Sequence, residues 1–116
     1  MTEGQFDTTD PNETSLSPQS AGQAGVNYFV VLDNPSHTNG STLNGIDCTN
    51  TVAFGQDASY DFTDLADFSN IQIVDFEYGG EATDTFTSTL TMNVSQHNKI
   101  SKIENGASAT IEIVAD

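Results

Sequence analysis

Thr83-Asp84-Thr85-Phe86-Thr87-Ser88-Thr89-Leu90-Thr91-Met92-Asn93-Val94 is the stretch that decides the fold class. On an extended chain Phe86, Ser88, Leu90, Met92 and Val94 fall on one side, and Thr85, Thr87, Thr89, Thr91 and Asn93 on the other. A period of two over this length marks a half-buried strand, and a row of threonine on the wet face suits it because branching at Cβ fits the pleat. The same alternation recurs outward from this segment. In Ala58–Phe62, Ala58, Tyr60 and Phe62 share one face while Ser59 and Asp61 take the other. Ile71–Tyr78 sets Ile71, Ile73 and Asp75 against Val74, Phe76 and Tyr78.

Val26–Leu32 is an aromatic and β-branched run that leads into a loop of turn formers, Asp33 to Ser41, and Thr51–Phe54 is a short strand closed by Gly55-Gln56-Asp57. Ile100–Ile103 and Thr110–Val114 flank Glu104-Asn105-Gly106-Ala107, and Asn-Gly between two β-like runs predicts a hairpin. Thr63–Phe68 reads as a turn or a single helical turn, capped by Thr63 or Asp64. There is no helical period and no visible internal repeat. Six or seven strands joined by short polar turns predict an all-β domain over residues 26–116, a small antiparallel β-sandwich or barrel of jelly-roll or immunoglobulin-like type.

Residues 1–25 differ in composition. They hold Gly, Pro, Ser, Thr, Gln and the acids Glu3, Asp7, Asp10 and Glu13, with no Lys or Arg. Such a stretch buries too little surface to offset the cost of ordering its backbone, so it is expected to be an extended, mobile N-terminal arm. Phe6 and Leu16 are its candidate anchors for a partner outside the chain.

The chain has 116 residues, 2 Lys+Arg and 17 Asp+Glu, a formal charge of −15. Its length suits one domain, and a hydrophobic share of 35% allows only a small core. The acidity argues against nucleic acid and anionic membranes, whose dominant attraction is phosphate to Lys and Arg. The longest apolar run, Tyr28–Leu32, is too short to span a bilayer, and the acidic start lacks the marks of a signal peptide. The charge suits either high salt or an acidic outer surface on an assembled particle. A single cysteine, Cys48, excludes an intrachain disulfide and is expected as a buried thiol.

Chemistry is sparse. Nucleophilic catalysis would need Cys48 to meet one of the two histidines, His37 and His97, which lie in turn-like segments expected to be exposed loops. Zinc would need more His or Cys at short spacings. Calcium takes loop carboxylates, and the closest candidate is Asp57, Asp61, Asp64 and Asp67, although their spacing matches no EF-hand loop and a solvated acidic face is the plainer reading. Phosphate-binding glycine loops and a serine nucleophile elbow are absent. The expectation is a non-enzymatic chain with no catalytic residues and no cofactor.

The layout resembles phage head-decoration (cement) proteins. The resemblance is carried by the arm Met1–Gly25, by Phe68-Ser69-Asn70-Ile71-Gln72-Ile73-Val74-Asp75-Phe76, and by the closing Ile103-Glu104-Asn105-Gly106-Ala107-Ser108-Ala109-Thr110-Ile111-Glu112-Ile113-Val114. It implies a virion subunit made in the host cytoplasm, a homo-oligomer of trimer type, that binds the major capsid protein on the outer head surface. The arm with Phe6 and Leu16 would dock by pairing its backbone with a coat-protein strand edge. The rival reading is a carbohydrate- or surface-binding β-sandwich of a fibre or cell surface, whose platform would have to come from Tyr28, Tyr60 and Tyr78, the chain having no Trp.

Overall fold

A computed structural model describes residues 2–8, 25–32, 34–77 and 86–116, with the backbone alone for residues 2–8 and Val26. Ten strands follow one another: β1 (Thr2–Thr8), β2 (Val26–Leu32), β3 (Thr42–Asn44), β4 (Thr51–Phe54), β5 (Ser59–Asp61), β6 (Asp67–Ser69), β7 (Ile73–Asp75), β8 (Thr89–Asn93), β9 (Lys102–Glu104) and β10 (Thr110–Val114). A five-residue helix, α1 (Val94–Asn98), and two 3-10 turns, Pro35–Thr38 and Phe62–Asp64, complete the described elements.

The strands form three walls. One has five strands in the order β1-β2-β4-β7-β9, one has three in the order β10-β8-β5, and one has the pair β3-β6. Every pairing among the described residues is parallel. The chain visits the walls in rotation: β4 on the five-stranded wall, β5 on the three-stranded, β6 on the two-stranded, then β7 back beside β4. That circuit is a parallel β-solenoid, in which each strand pairs with its counterpart one coil away.

The predicted antiparallel sandwich or barrel is therefore corrected. Alternation reports which side chains face the core, and it is the same whether the neighbouring strand runs parallel or antiparallel. The predicted hairpin at Asn105-Gly106 illustrates the difference. Asn105 does take a left-handed backbone, at φ 54°, but it turns the chain from one wall to the next, so β9 and β10 lie on different walls and do not pair.

A repeat that inspection of the sequence does not reveal appears in the register. Phe29 pairs with Thr51 and Thr51 with Ile73, two steps of 22 residues (51 − 29 and 73 − 51). The next step is longer, from Ile73 to Lys102, or 29 residues (102 − 73). Inside the coil these steps stack like on like. Val30, Val52, Val74 and Ile103 form one column, and Leu32 lies beside Phe54 in another. On the three-stranded wall Tyr60, Leu90 and Ile111 are aligned, with Met92 beside Ile113. Aromatic rings join the walls: Phe54 stacks on Tyr60 at 4.1 Å and meets Phe62 and Phe76 at 6.0 and 5.4 Å, and Phe62 meets Phe68 at 5.2 Å.

The corner ahead of the five-stranded wall repeats as well. Gly25, Cys48 and Asn70 take left-handed φ of 79°, 67° and 58° shortly before β2, β4 and β7, and Ile46 adds a second left-handed residue, at 69°, to the corner before β4. Asn50 fills this corner. Its Oδ1 accepts from the Tyr28 amide at 2.7 Å, its Nδ2 donates to the carbonyls of Asp47 and Asn70, and its own amide donates to Gln72 Oε1 at 2.8 Å. It is fully buried, and three coils are tied through it. Gly45 makes room for it, since a Cβ there would lie closer than 3.0 Å to the Asn50 side chain and to the Asn70 carbonyl.

Helix α1 stands where the circuit would otherwise lay a strand beside β6. Asn93 and Gln96 form a reciprocal capping box at its start, and Lys99 just beyond it donates from Nζ to the Phe68 carbonyl at 2.9 Å.

Candidate functional site

Of the four aspartates weighed as calcium ligands, Asp57 and Asp61 accept from amides at corners of the coil. Asp57 Oδ1 accepts from the Thr87 amide at 3.1 Å and from Ser88 Oγ at 3.0 Å, bridging a gap of 30 residues. Asp61 accepts from the Thr63 amide at 2.9 Å and so caps the turn Phe62–Asp64, in place of the predicted Thr63 or Asp64. Asp67 accepts from Ser69 Oγ at 2.9 Å, while Asp64 is exposed and contributes its carbonyl to the Gly40 amide. Among the described residues no three His, Cys, Asp or Glu side chains come together in a way that could hold a metal ion.

Other acids do similar work. Asp47 accepts from the Gly25 amide at 2.8 Å, and Asp75 accepts from the Glu77 amide at 3.0 Å and from Asn105 Nδ2 at 2.8 Å. Each corner of a parallel coil leaves amides that no strand neighbour can take, and a short acceptor side chain satisfies them locally. Part of the acidity is thus a product of the fold's many corners.

The residues singled out for nucleophilic chemistry differ in environment. His37 is fully buried in the turn Pro35–Thr38, against the expectation of an exposed loop, whereas His97 is exposed on α1. Cys48 is half-buried rather than enclosed, with its thiol donating to Asp47 Oδ1 at 3.1 Å.

The arm anchors are placed in part. Phe6 lies on β1 at the register position of Phe29, at the edge of the five-stranded wall. Leu16 lies outside the described residues. Of the tyrosines considered as a sugar platform, Tyr28 and Tyr60 are buried in the core. The Tyr60 hydroxyl donates to the Gln56 carbonyl at 2.7 Å, and Tyr78 lies outside the described residues.

Two surface features go beyond the sequence reading. The first is a shallow pocket of about 260 Å³ on the five-stranded wall, lined by Asn27, Tyr28, Phe29, Thr49, Thr51 and Ile73. Phe29, Thr51 and Ile73 form one register column there, a grouping that the 22-residue step alone could have signalled. The second is the last coil, where Ile103 is 42% and Ile113 43% exposed although their column neighbours Val74 and Met92 are buried. No described helix is long and apolar enough to cross a membrane.

Comparison with known proteins adds no relative. No family model matches the chain, and no curated protein or solved structure is significantly similar to it.

Proposed function

We propose that this chain is a non-enzymatic structural subunit of a virion, a capsid decoration protein that binds the major capsid protein on the outer head surface through its N-terminal arm and its strand edges. The observation that best supports this reading is the placement of β1. The first part of the arm is already extended and hydrogen-bonded along β2, with its far edge unpaired among the described residues. A strand in that position is prepared for backbone pairing with a partner's sheet. The formal charge of −15 would keep decorated particles from clumping.

The test is co-sedimentation with purified, expanded capsids that lack their native outer subunit. The full chain is expected to bind at a fixed ratio to the coat subunit. A chain without residues 1–25, checked for folding by circular dichroism, should bind far less. If neither binds while both stay folded, the decoration reading falls.

The pocket on the five-stranded wall favours a second reading, a carbohydrate- or surface-binding module. Its lining sets the amide of Asn27 and the hydroxyls of Thr49 and Thr51 beside the half-buried ring of Phe29, the pairing of polar groups and an aromatic face that a sugar needs. Screening on a glycan array, with Thr51→Val as control, separates the two.

A further inference from the structure

We propose that two copies of this chain pair antiparallel through β9, about a two-fold axis at Ile103. The inference begins with the exposed core at the last coil. In the column Val30, Val52, Val74, Ile103, the first three side chains are at most 1% exposed and the last is 42% exposed. Ile113, beside the buried Met92, repeats the pattern on the three-stranded wall. Two inward-facing isoleucines open to solvent gain from a cover, and β9 offers one unpaired backbone edge among the described residues.

The sequence of β9 identifies the cover. Lys102-Ile103-Glu104 is complementary to itself when read antiparallel: about Ile103, Lys102 stands opposite Glu104 of the second copy, and Glu104 opposite its Lys102. Directly opposed side chains in an antiparallel pair lie within about 5.5 Å at Cβ, where opposite charges attract and like charges repel. Lys102 and Glu104 already share one face, with Nζ and Oε2 3.4 Å apart, the lysine exposed and the glutamate half-buried. The neighbouring edge strand β10 lacks this property, since pairing about its centre would set Glu112 against Glu112.

The charge distribution favours the same end. Residues 86–116 carry Lys99 and Lys102 against Glu104, Glu112 and Asp116, a net of −1 (2 − 3), whereas residues 1–85 carry 14 acids and no Lys or Arg. Joining two copies at this end puts both of the chain's lysines at or beside the contact. The contact is isologous, as in most homodimers, and would extend the wall from five strands to ten.

Sedimentation velocity of the full chain over a range of concentrations tests the pairing. It does so independently of any capsid, so failure here leaves the decoration reading untouched. A dimer is expected. Lys102→Glu should raise its dissociation constant about tenfold or more, because both symmetric pairs become repulsive. The double exchange Lys102→Glu with Glu104→Lys should restore it. A mixture of Lys102→Glu and Glu104→Lys chains should form heterodimers tighter than either homodimer. Hydrogen exchange of the unmodified chain should show residues 102–104 more protected at high concentration, which keeps the question open to test if a variant fails to fold. A folded monomer at every concentration, a trimer, or a dimer indifferent to these exchanges would overturn the proposal.

Discussion

The middle coils and the last coil are made to one register but differ in what surrounds them. In the coils of β2, β4 and β7 the inward column Val30, Val52 and Val74 is closed above and below, and the same wall buries Val31 and Ala53 on its other face. In the last coil the equivalent Ile103 is 42% exposed, and β10 has most of its residues open to solvent. A rung of a solenoid draws its burial from both neighbours, so residue type and register alone do not set its contribution. The difference between Met92 and Ile113, paired side by side on one wall, measures this most directly.

The largest contrast is expected from truncating those two. Met92→Ala empties a fully packed site and should cost about 2–5 kcal/mol. Ile113→Ala removes a side chain already 43% exposed, leaves no enclosed cavity, and should cost about 1 kcal/mol or less. Urea unfolding at low protein concentration, where self-association does not contribute, measures both. Equal costs would mean that the last coil is as tightly packed as the middle ones.

The corner around Asn50 sharpens the comparison, because it ties three coils and has no counterpart in the last one. Asn50→Ala leaves the Tyr28 amide and the carbonyls of Asp47 and Asn70 without their partner, and at about 1–3 kcal/mol per buried group the loss should reach about 3 kcal/mol. Gly45→Ala drives a methyl into the same side chain and should cost about 1–3 kcal/mol. The two are coupled: the double variant should lose less than the two single losses together, since removing the Asn50 side chain frees much of the space that the new Cβ needs. Strict additivity in a double-mutant cycle would show that Asn50 and Gly45 do not share the site.

What could be read from the sequence follows from what alternation encodes. Val26–Leu32, Thr51–Phe54 and Thr110–Val114 were legible to the residue, because β-branched and aromatic runs bounded by turn formers leave little choice. Strand direction was not, since a period of two identifies the inward face and says nothing of the neighbour. The 22-residue step hid for a related reason. Positions that stack, such as Tyr28, Asn50 and Gln72, share a place in the coil without sharing chemistry, and the period breaks when Ile73 meets Lys102 29 residues on. One sign of parallel walls was present: Tyr28-Phe29-Val30-Val31-Leu32 is continuously apolar, as a strand buried on both faces should be. Helix α1 is not legible because five residues are too few to display a helical period, although its Asn93…Gln96 capping pair stands in the sequence. The spacing of the aspartates suggests a solvated face or a cation site, whereas Asp57 and Asp61 serve as acceptors for corner amides.

The smallest effect belongs to the last coil, at the contact between Asp116 and α1. Its carboxylate accepts from the Ser95 hydroxyl and, at 3.1 Å, from the Ser95 amide. The hydroxyl bond first and the amide bond second hold the Asp116 carboxyl below its ordinary value of 3.8, against a weaker opposing desolvation. A carboxyl depressed in the folded state stabilises the fold above its unfolded pKa, and that stabilisation is lost as pH falls through the folded value. The side chain is fully solvent-exposed, so the effect should be slight. Melting curves of the unmodified chain and of Asp116→Asn should differ by a small, constant amount above pH 5 or roughly so, and converge as the pH drops below 3.8. A gap that stays the same into acid would mean that the ionised form contributes nothing and that Asp116 holds α1 through geometry alone. Convergence would show that a charge-assisted bond helps to fasten the last coil to α1.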